Sequence, residues 1–483
     1  MKERSLKLNF ILNNIRIILN FLTPLITFPY TSRVLGPVSI GKVDFANSIV
    51  SYFILFASLG IPSYGIRAVA ASRDNKEELS KTVAELSVIS IFMSFFMTLI
   101  YLAFVFLVNI NVEKKLFFIL LPQIFLATLS FEWSYTVVED QLYITIRFIF
   151  VKFISIIALF MFIKSSNDYL MYAFISFVLT AISSVFNIIR LRKYISFVSF
   201  RKLELKPHIK PILIIFGSSI AISLYSHLDS TMIGFFAGEE AVGLYSCANR
   251  LINMILSIVT SLGVIMMPRL ANLLENNEIE RYKNNLSKSL NFIFLFSLPI
   301  IWGILSVGTE FILLFAGEKY LASGTTFLIL SPILFIIASA HFIGIQILYT
   351  NKLERIYTIA VSIGAMANII ANFFLIPRLQ QNGAAIGSLI AEGTGLIVMS
   401  ILGRKTIKKF VVFDWRIIGF FIASVLMFIC LNIFKYYFDL YVLIYVFAGI
   451  FLYSIFVVIW LKICKTNILF FIKNFQFQIR GDL

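Results

Sequence analysis

The sequence predicts an all-α, polytopic membrane protein with about fourteen transmembrane helices. Hydrophobic residues make up 59% of the chain and charged residues only 14%. A water-soluble fold of this composition would lack the polar residues that normally cover its surface. Apolar runs of about 20 residues follow one another along the chain, and this is the length that a helix needs to cross a ~30 Å hydrocarbon layer.

Short polar segments separate the apolar runs. The predicted spans are residues 9–31, 43–64, 82–108, 116–138, 144–164, 169–190, 211–236, 241–266, 289–312, 323–349, 356–376, 384–403, 416–434 and 441–464. The first run has the full length of a span and contains Arg16 and Asn20, so we expect a retained helix and not a cleaved signal peptide.

The distribution of basic residues predicts the orientation. Most of the 41 Lys and Arg residues fall on the side of the membrane shared by both termini. The few that fall on the opposite side are Arg33, Lys42, Lys114, Lys115, Lys164, Lys319, Arg378 and Lys435. Because cationic loops resist translocation, both termini are expected to be cytoplasmic. A basic face against anionic lipid also accounts for the net charge of +16, and no nucleic-acid partner is expected.

Several function classes are disfavoured. The three cysteines, Cys247, Cys430 and Cys464, show neither a disulfide framework nor a zinc spacing. The segment 36–42 imitates the start of a P-loop, but Val43 stands where Ser or Thr would bind magnesium, and we interpret it as a tight connection between helices. No link in the first half exceeds about twenty residues. The protein is therefore not expected to be an enzyme, and neither a cofactor nor a metal is expected.

The chain resembles itself at an offset of 202 residues. Glycines 36 and 41 correspond to glycines 238 and 243, and the second and eighth helices carry matching polar stripes. The stripes are Asp44, Asn47, Ser51 and Ser58, and Ser246, Asn249, Asn253 and Thr260. Six spans separate the copies, so both have the same orientation, as in transporters built from parallel repeats with a site between two lobes. The predicted division is 1–210, 211–404 and 405–483, the last part holding two additional helices and a tail.

Charged residues within the predicted spans mark candidate sites. Each costs roughly 2.5–3.5 kcal/mol at the bilayer centre, so such residues usually face a cavity or pair internally. The residues predicted to line a substrate cavity are Arg16, Asn20, Asp44, Asn47, Ser51, Asp229, Asn249, Arg250, Asn253 and Glu392, with Glu132 and Arg147 as secondary candidates. Polar stripes also act as glue between helices, and Arg147 could instead extend to the interface. For His227 and His341 we expect structural hydrogen bonds.

Three segments have a distinctive sequence: LFASLGIPSYGIR at 55–67 followed by Arg73-Asp74; Phe131-Glu132-Trp133 with Glu139-Asp140 and Tyr143–Arg147; and GAAIG at 383–387 with Glu392. They resemble the polysaccharide-biosynthesis flippases, the O-antigen translocases (Wzx type) of the multidrug/oligosaccharidyl-lipid/polysaccharide exporter superfamily. The resemblance covers about residues 5–410, and the last two predicted helices offer only hydrophobicity.

The resemblance implies two six-helix bundles around a central cavity, in the bacterial cytoplasmic membrane. The implied cargo is an oligosaccharide repeat unit on undecaprenyl diphosphate, moved to the outer leaflet by alternating access. Arg16 and Arg250 are then expected to bind the diphosphate, since a guanidinium grips phosphate oxygens in bidentate fashion. Polar stripes would bind sugar hydroxyls, and the lipid tail would stay in hydrocarbon, in a groove that the last two helices could border. A coupling ion, proton or sodium, and a complex with a polysaccharide polymerase stay open.

Three alternatives stay open at the level of sequence. A multidrug antiporter of the same superfamily would use an acid-dominated cavity, for which Asp229, Glu132 and Glu392 are available, whereas Arg16 and Arg250 favour an anionic cargo. A lipid II flippase is a closer variant. A membrane polymerase or ligase would present a large non-cytoplasmic loop, and none longer than about a dozen residues is predicted.

Overall fold

The computed structural model describes residues 6–72, 75–108, 113–138, 140–196, 198–412 and 414–464. Over these ranges the chain is helical and contains no strand, which confirms the all-α fold class. The helices are α1 (Leu6–Ser58), α2 (Ile61–Ala71), α3 (Lys76–Leu107), α4 (Lys114–Leu120), α5 (Gln123–Thr128), α6 (Glu132–Val137), α7 (Gln141–Phe162), α8 (Tyr169–Leu191), α9 (Lys206–Ala237), α10 (Glu239–Glu275), α11 (Ile279–Ala316), α12 (Leu321–Leu330), α13 (Ile333–His341), α14 (Glu354–Leu402), α15 (Arg404–Phe410), α16 (Arg416–Tyr437) and α17 (Val442–Ile463). A π-helical segment, Phe342–Tyr349, continues α13.

Ten helices of the described chain are long and apolar enough to cross a membrane, and a helix pair bent by 44° adds an eleventh. Two of the ten, Leu22–Ala70 and Glu354–Leu402, contain 49 residues each, more than twice the length of one span. The backbone breaks inside both, at Gly36 (φ 76°) and at Gln380 (φ 51°). The protein is therefore a multi-pass membrane protein. The predicted count of fourteen is compatible with these breaks and stays a prediction.

Contacts between Cα atoms divide the chain into two compact units, Met1–Gly243 and Leu244–Leu483. In the first, α9 packs against α1 and α2, so its contacts assign it to the preceding helices. A hydrophobic cluster joins α2, α3, α6, α7 and α8, and its members include Ile61, Val83, Trp133, Ile144 and Leu191. The predicted boundary at residue 210 was placed from the internal repeat, whereas the two compact units are defined by contacts. The predicted boundary stays a prediction.

Repeat-related glycines pack closely within the first unit. Gly36 and Gly238 both have positive φ, 76° and 86°, a conformation that favours glycine. A Cβ atom on Gly41 would lie 1.7 Å from a backbone oxygen of α10, and one on Gly243 would lie 2.0 Å from a backbone oxygen of α1. Both approaches exclude any side chain. The segment that imitates a P-loop start is thus a connection between two helices, as the sequence analysis interpreted it.

The second unit is organised around α11, against which α16 and α17 pack. The helical dihedral angles of α11 are interrupted at Val307 (φ −132°). Nζ of Lys435, on α16, donates a hydrogen bond of 3.0 Å to the carbonyl oxygen of Ser306 and forms an ion pair with Glu310. A donor from α16 therefore satisfies a carbonyl group beside the break, which ties the two helices together.

Large apolar side chains cover the outer surface of many helices. Phe92 of α3, Phe153 of α7 and Phe447 of α17 are 67%, 63% and 70% exposed, respectively. Surfaces of this kind are stable when lipid covers them.

Candidate functional site

The fourth apolar run, which is the candidate span Lys114–Tyr135, is built from short helices with breaks between them. It consists of the short helices α4, α5 and α6, and Phe131 adopts a φ of 49° between α5 and α6. A bulky residue in this left-handed region costs about 1–3 kcal/mol and persists only where the surrounding structure imposes the conformation. The break makes Glu132 the first residue of α6. Irregular backbone at membrane depth is tolerated where protein or a cavity satisfies it.

Glu132 lies between two arginines that come from different helices. Nη1 of Arg16, on α1, is 3.6 Å from Oε1 of Glu132, and Nη2 of Arg147, on α7, is 3.3 Å from Oε2. The exposed fractions of the side chains of Arg16, Glu132 and Arg147 are 23%, 46% and 6%. Two guanidinium groups around one carboxylate carry a net positive charge, so this arginine cluster favours a further anion.

Asn187 of α8 is 0% exposed and fixes part of the arginine cluster by hydrogen bonds. Its Oδ1 accepts a hydrogen bond from Nη1 of Arg147, and its Nδ2 donates one of 2.5 Å to the carbonyl oxygen of Ser130, in the break. The hydroxyl group of Tyr135 donates to the carbonyl oxygen of Asn187. One side chain thus satisfies the broken backbone and fixes Arg147. Nε of Arg147 is buried and has no acceptor among the described residues.

Two of the segments on which the family resemblance was based meet here. A Cβ atom on Gly65 of α2 would lie 2.6 Å from the indole ring of Trp133, so the ring packs directly on the glycine backbone. Asp140, which is 1% exposed, accepts hydrogen bonds from Arg190 (3.0 Å) and from the hydroxyl group of Tyr194 (2.5 Å). Glu139, Arg73 and Asp74 lie outside the described residues.

The remaining candidates of the first unit lie on α1 and α9. Asn20 is exposed, and Asp44, Asn47, Ser51 and Asp229 are half-buried. The hydroxyl group of Ser51 donates to the carbonyl oxygen of Asn47 (2.7 Å), and Thr231 of α9 donates to Ser48 of α1 (2.8 Å). The bond that joins the two helices thus comes from Ser48, which lies next to the stripe and is not one of its members.

In the second unit, α10 presents Asn249, Arg250 and Asn253. Nδ2 of Asn253 donates a hydrogen bond of 3.0 Å to Oδ1 of Asn249, so the two amides share one helix face. Arg250 is half-buried on the same helix. Glu392 is half-buried and lies on a different helix of this unit, α14.

The structure also contains a polar network that the sequence analysis did not single out. Nε2 of His208 is 2.8 Å from Oε2 of Glu85, and Nδ1 is 2.8 Å from the hydroxyl group of Tyr64. Glu85 sits within a hydrophobic span, which is the signal that could have found it. His227 contacts the ring of Tyr52 edge to face. For His341 the expected hydrogen bond is not found at Nδ1, which is buried without a partner within the described chain.

The second unit contains an apolar cavity of about 240 Å³. Helices α10, α11, α12, α16 and α17 contribute to its lining, which includes Ile255, Gly303, Phe311, Leu431 and Ile450. The lining is almost wholly hydrocarbon, so the cavity suits an apolar chain and not a sugar.

Fold and site together define a polytopic helical protein of the transporter class, with a cationic cluster where a broken span meets two other helices. The sequence profile of the family described as "Polysaccharide biosynthesis protein" matches residues 6–274, more than half of the chain. The chain belongs to this family, which confirms the resemblance stated from its motifs.

Similar proteins are known from enteric bacteria. A protein of Escherichia coli (strain K12) named "Putative O-antigen transporter" is 25% identical over 399 residues, which cover 80% of this chain and 94% of that protein. A protein of the same name from Shigella dysenteriae is 23% identical over 393 residues, covering 80% and 96%.

Solved structures establish the fold. A lipid II flippase, MurJ, in an inward closed conformation superposes with a TM-score of 0.77 at 16% identity and covers 94% of this chain and 99% of its own. An inward-facing multidrug resistance transporter of the MATE family, of the MOP superfamily, gives a TM-score of 0.63 at 15% identity, covering 82% and 98%. The chain therefore has the fold of these membrane transporters.

Proposed function

We propose that this protein is a flippase that moves oligosaccharide repeat units linked to undecaprenyl diphosphate across the bacterial cytoplasmic membrane by alternating access. The cargo belongs to O-antigen or a related surface polysaccharide, and the protein transports it without chemical change. Both termini lie in the cytoplasm. The observation that carries the proposal is the net positive cluster of Arg16, Glu132 and Arg147, formed where a broken span meets two other helices in a member of the polysaccharide biosynthesis family.

The diphosphate is the part of the cargo that needs this cluster. Arg16 presents a partly exposed guanidinium group, and two parallel N–H donors match the spacing of phosphate oxygens. Arg250 is proposed as a second phosphate ligand, on α10. The multidrug antiporter considered as an alternative would need an acid-dominated cavity suited to cations, and a cationic cluster disfavours such cargo.

The sugars and the lipid require different surroundings. Buried hydroxyl groups cost about 1–3 kcal/mol each without a hydrogen-bond partner, and Asn20, Asp44, Asn47 and Ser51, with Asp229, Asn249, Asn253 and Glu392, are proposed to supply such partners. The apolar cavity beside α16 and α17 is proposed to accept part of the polyprenyl chain. A proton or sodium ion is proposed as the coupling ion, and a polysaccharide polymerase as the partner that consumes the product.

Deletion of the gene in its native host tests the proposal. We expect loss of surface polysaccharide and accumulation of the lipid-linked unit on the cytoplasmic face, with rescue by the wild type. Arg16→Ala, expressed at wild-type level, should fail to rescue. Arg378→Ala, which removes a basic residue predicted to lie outside the cavity, should rescue fully and serves as the matched control.

One result would contradict the proposed function, and another would contradict only its diphosphate site. Unchanged polysaccharide with altered drug tolerance would assign the protein to the antiporters. Full rescue by both Arg16→Ala and Arg250→Ala would remove the diphosphate site proposed for these residues.

A further inference from the structure

Glu132 occupies the place where an anionic ligand of the two arginines would bind. Its two carboxylate oxygens are divided between Arg16 and Arg147, at 3.6 Å and 3.3 Å. A phosphate group offers oxygens with similar spacing and more charge, and therefore competes for the same donors. The cluster thus holds its own internal anion.

The surroundings of the three side chains are unequal. Arg147 is 6% exposed and fixed by Asn187, whereas Glu132 is 46% exposed. Glu132 also begins α6 directly after the break at Phe131, so its side chain can turn away without disturbing the hydrogen bonds of a longer helix. The carboxylate is therefore the replaceable member of the cluster, and Arg147 is the fixed one.

Nε of Arg147 indicates that the cluster is incomplete. This donor is buried and has no acceptor within the part of the chain that the structure describes. A buried N–H group without an acceptor is costly, and an anionic oxygen that reached it after Glu132 had moved away would satisfy it. Glu132 supplies two oxygens for two guanidinium groups, whereas a diphosphate supplies more.

We propose that Glu132 is an internal competitor for the diphosphate of the cargo: the diphosphate displaces it from Arg16 and Arg147 on binding, and Glu132 returns to expel the diphosphate on release. This rests on the proposed function. Glu132 is a positioning residue that sets affinity. It keeps the arginines together in the empty state, excludes weaker monoanions, and prevents the cargo from binding so tightly that release becomes slow.

Binding of farnesyl diphosphate to the purified full-length protein, measured by calorimetry in detergent, tests this inference. Farnesol serves as the uncharged probe. Glu132→Gln keeps the shape of the side chain and removes the charge, so we expect farnesyl diphosphate to bind about tenfold more tightly than to wild type. Glu132→Asp retains the charge and should stay within about threefold of wild type. In complemented cells, Glu132→Gln should lower the rate of polysaccharide export despite its tighter binding, a combination that a merely structural defect would not produce.

Glu310→Gln is the matched control. Glu310 is 40% exposed and also pairs with a basic residue, Lys435, but it lies on α11 of the second unit. Its substitution should leave the affinity for farnesyl diphosphate unchanged.

The outcomes separate this inference from the proposed function. If wild type binds farnesyl diphosphate no better than farnesol, the diphosphate site itself is wrong. If wild type binds the diphosphate and Arg16→Ala loses it, but Glu132→Gln binds equally or more weakly, only the role of Glu132 is overturned.

Discussion

At the scale of single residues, in-span charge was the informative signal in the sequence. It identified Arg16, Glu132 and Arg147, because a charged side chain within a span is costly and usually faces a cavity or pairs with another charge. It did not predict that the three side chains converge, since they lie on separate helices. Asn187 gave no signal, because a single amide in an apolar helix carries no charge, yet it fixes both Arg147 and the broken backbone.

Asp414 gives a residue-scale prediction of pH dependence. Burial raises the pKa of its carboxyl group, but hydrogen bonds from Arg416 and Asn291 outweigh this and hold the pKa below its ordinary value of 3.8. A lowered pKa stabilises the folded state above the ordinary value, and this contribution is lost as the pH falls through the folded-state pKa. Asp414→Asn should therefore cost about 1–3 kcal/mol at pH 7, seen as a lower Tm in detergent, and the difference from wild type should shrink towards pH 3.

Asp439→Asn is the control, because Asp439 is exposed at the opposite end of α16. Its Tm should match that of wild type at both pH values. A difference between wild type and Asp414→Asn that stays constant from pH 7 to pH 3 would contradict the assigned linkage.

At the scale of elements, the apolar runs located the spans but not all of their breaks. The turn at Gly36 was readable, because glycine favours positive φ. The breaks at Phe131 and Gln380 could not be predicted from the sequence. Neither residue type favours the positive φ that it adopts there, so tertiary packing must impose it. The helix boundaries moved accordingly: the second predicted span, 43–64, is the second part of α1, ending at Ser58, followed by α2.

The contact between repeat-related glycines gives the element-scale prediction. Gly41→Ala should destabilise the protein by more than about 3 kcal/mol, because the new Cβ atom would lie 1.7 Å from a backbone oxygen. A thermal shift of the purified protein measures the loss. Gly217→Ala, in α9, meets no atom within 4 Å and should be neutral or slightly stabilising. Equal Tm values for the two variants would show that the close approach of Gly41 to the backbone of Glu239 is wrong.

At the scale of the whole molecule, composition and charge asymmetry were sufficient for the fold class, and three motifs were sufficient for the family. Both are confirmed by the structure and by the comparisons. The identity of the sugars is not encoded in comparable form, because hydroxyl groups are bound by generic amides and hydroxyls, which recur in every polar stripe. Charge is the exception, and for this reason the proposed mechanism depends on the arginine cluster.

The proposed activity of this protein is movement of a diphosphate-linked oligosaccharide from one leaflet to the other. The most direct measurement uses proteoliposomes that contain the purified protein and a fluorescently labelled undecaprenyl-diphosphate oligosaccharide, with a membrane-impermeant quencher added outside. If the account is correct, wild-type protein makes lipid from the inner leaflet accessible to the quencher, whereas Arg16→Ala vesicles quench only the outer half. Equal quenching in wild-type and protein-free vesicles, with the protein folded and correctly inserted, would contradict it.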